Sequence, residues 1–317
     1  MTFSTHTFKL IRHYGEDQMM SQLEANWKSR LDWCFLNIGA WTNIARSTAG
    51  TLRGSDFSVL RAVDDPQYTD GQVWEAPRKD WAWEDSVNYE DVDGNTGLNP
   101  ISVGTPYIGA VAVTAPYHIN YPLGRVIFDT AISTSSVVTI AYPYRNVQVK
   151  IADDAPWLRE MHFRSYRPEG TQFEQFGKGD WAINGQHRVQ LPTVVVECVP
   201  RGYSSGYEMG SGGLRLFQDM IFHVVAEDRR TRNDIVDAIK YQDDVVFDMF
   251  DSNDVAAASA YALDYRGEKT GTNMYPDLVD DYTWDKCMMK NTVVSEIESQ
   301  HINLYEGVVR ATMEVIR

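Results

Sequence analysis

The stretch with the most chemical promise is Gly202-Tyr203-Ser204-Ser205-Gly206, which fits the G-x-S-x-G pattern of a hydrolase nucleophile elbow. An elbow needs a strand before the serine and a helix directly after it, so that a sharp turn holds the hydroxyl near a helix N-terminus and within reach of a histidine base. A strand does precede, but Tyr207-Glu208-Met209-Gly210-Ser211-Gly212-Gly213 follows and a second strand begins. The stretch therefore reads as a glycine-rich hairpin. His223 or His301 with an aspartate would have to complete a triad, and no spacing demands either. The same loop lacks the G-K-[ST] ending of a phosphate-binding loop and no helix follows it, so it offers no nucleotide site.

Metal chemistry is also weakly signalled. Asp91, Asp93 and Asn95 alternate as in a calcium loop, and Gly94 and Gly97 allow tight turns, yet the glycine and glutamate that such a loop needs at its sixth and twelfth places are missing. An acidic, solvated loop over 85–100 is the plainer reading. The seven histidines are scattered with no H-E-x-x-H, and three widely separated cysteines, Cys34, Cys198 and Cys287, suggest buried thiols rather than a disulfide framework or zinc site. The aspartate pairs at 64–65, 153–154, 243–244 and 280–281 point their carboxylates in different directions on any regular element. The sequence thus predicts no catalytic residue, no metal, no cofactor and no enzyme, with a serine hydrolase built on Ser204 as the minor alternative. Trp74, Trp81 and Trp83 lie among acidic and basic residues, a composition that suits a sugar platform, a subunit interface or a packed loop.

The elements that would position these residues are legible in part. Leu214, Leu216, Met220, Phe222, Val224 and Ala226 have the two-residue period of a strand. Glu227-Asp228-Arg229-Arg230 then makes a charged turn, and Thr231 with Asp234 resembles a capping box. Ile235, Ile239, Gln242, Val246 and Met249 or Phe250 follow at helical spacing, which predicts one helix running to Asp251. Further strands are expected over 192–200, 292–303 and 306–316, forming an antiparallel sheet packed by that helix. Upstream, Met20, Leu23, Trp27, Leu31, Cys34 and Ile38 predict a helix over 16–38, between Gly15 and Gly39. Residues 48–57 read as a loop. Residues 101–154 carry several strands with Gly and Pro punctuation and no helix, as in a sandwich or barrel, with an edge or bulge at Tyr142-Pro143-Tyr144.

The fold class that follows is α+β. An N-terminal helix and an antiparallel sandwich or barrel-like module fill 1–154, and a small α+β domain with an antiparallel sheet packed by a helix fills 155–317. The 317 residues carry a net charge of −15, which disfavours non-specific binding to a phosphate backbone. No apolar run suggests a membrane span and the amino terminus has no signal-peptide pattern, which places the expected site of action in a cytoplasm or in something assembled there.

The phrase NYPLGRVIFD at 120–129, followed by VVTIAYPYRNVQVKIAD, resembles the β modules of tailed-bacteriophage connector and tail proteins. The later stretch with FHVVAEDRRTRNDIVDAIKYQ and a final strand is similar to the small α+β domain of tail-terminator and neck proteins. The resemblance covers about half the chain, over 120–151 and 192–317. It implies a structural virion protein, assembled in the host cytoplasm, that forms a ring at the head-tail junction or the head-proximal end of the tail. Six copies, or twelve as the alternative, would contact neck, tail-tube or sheath proteins and let DNA pass through a lumen. The interface candidates are Trp74, Trp81, Trp83, the N-terminal helix and the loop residues Gly202, Tyr203, Tyr207, Gly210 and Gly213. A baseplate or receptor- and carbohydrate-binding tail module is the rival reading.

Overall fold

A computed structural model describes residues 19–47, 57–85, 87, 89–90, 96–162, 173–183, 187–206, 214–301 and 303–316. The expected helix start at Gly15 and Glu16, most of the loop at 48–57, the acidic residues Asp91, Asp93 and Asn95, and Tyr207, Gly210 and Gly213 lie outside the described residues.

The chain is α+β, and its centre is a six-stranded sheet. In spatial order the strands are Gln148–Ile151, Thr193–Gly206, Leu214–Ala226, Leu304–Ile316, Thr283–His301 and Val246–Phe250. All neighbours are antiparallel except the first pair. One face buries Val194, Val196, Met220, Phe222, Val224, Val309, Ala311 and Met313, the alternate positions that a pleated strand aims the same way. Helix α1 (Met19–Asn37) covers that face with Leu23, Trp27, Leu31 and Phe35, spaced one turn apart, and Gly39 at φ 84° ends it. The opposite face is covered near Val195, Val225 and Leu304 by helix α2 (Pro156–His162) and a three-stranded sheet, Phe173–Gly177, Asp180–Ile183 and His187–Gln190.

Helix α3 (Arg229–Lys240) follows the strand Leu214–Ala226 as expected, but its bounds differ. Its N-cap is Asp228, whose carboxylate accepts from Thr231 N at 2.7 Å, rather than Thr231 itself. It also stops at Lys240. Asp244 takes φ 60°, a conformation that breaks a helix, and Val245-Val246-Phe247 then favours extended backbone. Val246–Phe250 is therefore an edge strand, not the end of a helix. Two short helices flank the chain beyond it, α4 (Ser252–Ala257) and α5 (Tyr275–Asp281).

A second β module forms a seven-stranded antiparallel sheet with strands between Val59 and Thr139. Its core holds Leu60, Trp74, Trp81, Val126, Phe128, Val138, Ile140 and Tyr142. Tyr142–Arg145 pairs with Trp41–Ile44 on one side and, through a bridge between Tyr144 and Trp81, with residues 80–82 on the other, so the Tyr-Pro-Tyr segment is not the expected edge. The boundary expected at 154 does not follow the packing. Helix α1 belongs to the core of the six-stranded sheet, and Gln148–Ile151 leaves the β module to run parallel to Thr193–Gly206. Among the described residues no helix is long and apolar enough to cross a membrane.

Candidate assembly surface

The sheet carries two long hairpins whose tips point to opposite ends. Arg215 pairs with Ile316, whereas Ala226 pairs with Tyr305, so the hairpin tip near Gly206 and Leu214 lies at the end of the sheet away from the tip near His301 and Leu304.

At the first tip, residues 201–206 are all exposed. Ser204 sits inside this regular strand, opposite Leu216, and the next described element is again a strand, so it is not held on an elbow. Gly202 closes a bulge that begins at Cys198, and a Cβ there would come within 2.6 Å of Phe217 O. The Gln218 amide fills the bulge by donating to Val199 O and to Arg201 O. Tyr203, 64% exposed, stacks on Phe217 with ring centroids 4.5 Å apart, and Arg215 lies over the other ring of the pair. Arg215 Nε also donates to Glu314 at 2.6 Å, and Lys290 pairs with the same carboxylate. Burial opposes the charge on Glu314, but these two cations outweigh it and hold the carboxyl below its ordinary value. The result is an aromatic pair rimmed by a fixed ion triad.

On the other side edge of the sheet the strand Thr283–His301 outruns its neighbour. Val246–Phe250 reaches only to Met288, so Val293, 58% exposed, and Val294, 43% exposed, lie on an edge with one strand partner among the described residues. Asn291 at φ 55° and a bulge between Lys290 and Val293 twist this edge outward. Glu296 pairs with Arg232 at 2.9 Å and Arg229 at 3.5 Å, which ties the edge to helix α3.

Near the His301-Leu304 tip lies a buried polar group that no local spacing announced. Glu306, 2% exposed, meets His162 Nε2 at 2.9 Å and His223 Nδ1 at 3.1 Å, and His223 Nε2 faces Glu197 at 3.5 Å. Donating a hydrogen bond to Glu306 holds the His162 imidazole above its ordinary pKa. Burial works against the Glu306 charge, yet the two histidines overcome it and lower its pKa. His162 and Glu306 stand 144 positions apart in the chain, so only the fold brings them together.

The other interface candidates divide sharply. Trp74 and Trp81 are 1% and 0% exposed in the β-module core, Trp81 stacking on Tyr142 at 4.5 Å, so neither ring offers a surface to a partner. Their indoles donate to Gly71 O and Arg78 O, each at 2.9 Å, which explains why such large polar-tipped rings can be buried. Trp83 is half-buried at the rim of a pocket. Gly202 and Tyr203 are on the exposed hairpin. Among the described residues no cluster of His, Cys, Asp and Glu is placed to hold a metal.

No protein-family model matches the chain, and no curated protein is similar to it.

Proposed function

We propose that this chain is a structural protein of a tailed-phage virion that closes into a ring at the head-tail junction or at the head-proximal end of the tail. One observation carries the reading: two unlike strand features, the Tyr203-Phe217 hairpin and the Val293-Val294 edge, lie on opposite side edges of one sheet. A ring closes through head-to-tail contacts, so each copy must present two different patches rather than one self-complementary patch. An open strand edge and an aromatic hairpin are a suitable pair, because an edge accepts backbone hydrogen bonds and exposed aromatic rings supply area at low entropic cost. The likeness of 192–317 to tail-terminator and neck domains supports the same class, and the net charge of −15 suits a lumen that DNA slides through without being gripped.

The test is the assembly mass of the purified chain by light scattering on a sizing column, with negative-stain images of the same peak. Rings of six or twelve copies with a central hole are expected. A monomer that also fails to bind purified phage tails would overturn the reading.

A further inference from the structure

Where α1, the β module and the connection leading to α5 meet, a pocket of about 220 Å³ opens beside Trp83. It has no place in the assembly reading above and does not depend on it. Its floor is Arg145, 5% exposed, whose Nη1 donates to Trp81 O at 2.9 Å and whose Nη2 donates to both oxygens of Glu84 at 2.5 and 2.7 Å. Glu84 thus neutralises the guanidinium. Asp32 approaches the same guanidinium, with Oδ1 3.8 Å from Nε, yet neither of those atoms has a hydrogen-bond partner. A buried carboxylate oxygen left without a hydrogen bond costs stability, and such groups concentrate at sites that bind something. Burial pushes the Asp32 carboxyl up against the pull of Arg145 and Lys28.

The walls narrow the class of ligand. Trp33, Trp83 and Tyr261 line the pocket and are half-buried, so their rings keep free surface there. Asn273 spends its amide nitrogen on Ala260 O at 3.0 Å and retains its oxygen as an acceptor. The lining carries two cations, Lys28 and Arg145, and two carboxylates, Asp32 and Glu84, so the charges cancel and an ion of either sign gains little. The cavity is also smaller than the roughly 300 to 1,000 Å³ of pockets for drug-sized ligands, which leaves room for one ring. A sugar ring matches all of this. Its faces are C–H surfaces that pack on aromatic rings, and its rim is a set of hydroxyls, each a donor and an acceptor, for Asp32, Lys28 and Asn273.

We propose that the pocket between Trp33, Trp83, Tyr261 and Asp32 binds a single neutral sugar ring. The test is saturation-transfer NMR on the full chain with glucose, galactose, N-acetylglucosamine and rhamnose, each at millimolar concentration. At least one of the four should receive magnetisation and bind saturably. Trp83→Ala should weaken that binding by about fivefold to tenfold, the loss of one aromatic contact, and Asp32→Asn should weaken it as well. Lys28→Ala, a change at a half-exposed helix position, serves as a third variant should either of the others lose its native melting transition. Silence from all four sugars, or a signal that persists undiminished in every folded variant, would overturn the proposal.

Discussion

The side-chain amide of Asn26 stands in for a missing strand beside Phe250. Its oxygen accepts from Phe250 N at 2.9 Å and its nitrogen donates to Phe250 O at 2.9 Å, the two bonds that a neighbouring strand would have made. Gln22, one turn earlier on α1, repeats the device by accepting from Ser252 N at 2.9 Å and donating to Asp251 at 3.0 Å. Around Phe250 to Ser252 the outer edge of the six-stranded sheet is thus closed by a helix, whereas the Val293-Val294 stretch of the same side stays open to pairing.

Replacing Asn26 with Ala should cost about 2 to 4 kcal/mol, because it leaves a buried N–H and C=O unpaired. Urea unfolding followed by tryptophan fluorescence measures this. A loss below about 0.5 kcal/mol would mean that water replaces the amide.

The end of α3 at Lys240 makes a paired prediction. Ile239 is fully buried whereas Val246 is 51% exposed. Ile239→Asp should unfold the sheet, since burying an unpaired charge costs several kcal/mol against a total of about 5 to 15. Val246→Asp should change stability by less than about 1 kcal/mol. Thermal melts of the two variants separate this arrangement from a single helix running to Asp251, in which both would be damaging.

The His162-Glu306 pair makes stability depend on pH in a defined window. His162 has its folded pKa raised above its ordinary 6.5, so its contribution is complete below that value and disappears as pH rises through the folded one. Glu306 is lowered from 4.5, so its contribution is complete above 4.5 and disappears as pH falls through the folded value. The stability difference between the wild-type chain and His162→Gln should be widest near pH 5 to 6 and shrink toward pH 9. A difference that is flat across this range would show that the pair contributes only packing.

The aromatic pair on the hairpin predicts a loss of assembly without a loss of folding. Tyr203→Ser removes an exposed ring and should leave the melting temperature within about 2 °C of the wild type while reducing the assembled mass. Deleting Gly202 to Gly213 should act in the same direction, because the trimmed strands can be rejoined by a short turn. Normal rings from either variant would remove the hairpin from the interface.

Periodicity made the main sheet readable. Leu214, Leu216, Met220, Phe222 and Val224 fall on alternate positions, and Val309, Ala311, Met313 and Val315 do the same, so two of the central strands can be read from alternation, whereas the strand expected over 192–200 runs on to Gly206 through residues that read as a glycine-rich loop. The same signal misled at Val246 to Phe250, where apolar residues at positions 246, 249 and 250 fit either a helix face or a short buried strand. The φ of Asp244, which decides between them, leaves no mark on the pattern. The tryptophans misled for a different reason. Trp74 and Trp81 satisfy their N–H groups on nearby carbonyls, Gly71 O and Arg78 O, and a ring with its polar atom satisfied can be buried completely. The pocket at Trp83 and the Glu306 group join residues more than a hundred positions apart, and nothing in local spacing reports such a meeting.

Helix α1 carries one more consequence. Its apolar side, Leu23, Trp27, Leu31 and Phe35, packs on a sheet whose central strands lie at 193–206, 214–226 and 304–316. At about 5 to 20 residues per second, a ribosome takes on the order of tens of seconds to deliver the last of those strands after the helix has emerged. Throughout that wait the helix is a sticky ribbon with nowhere to dock, which makes the nascent chain a natural client for a holding chaperone and makes any message broken before the final hairpin a source of aggregate rather than of a smaller working protein.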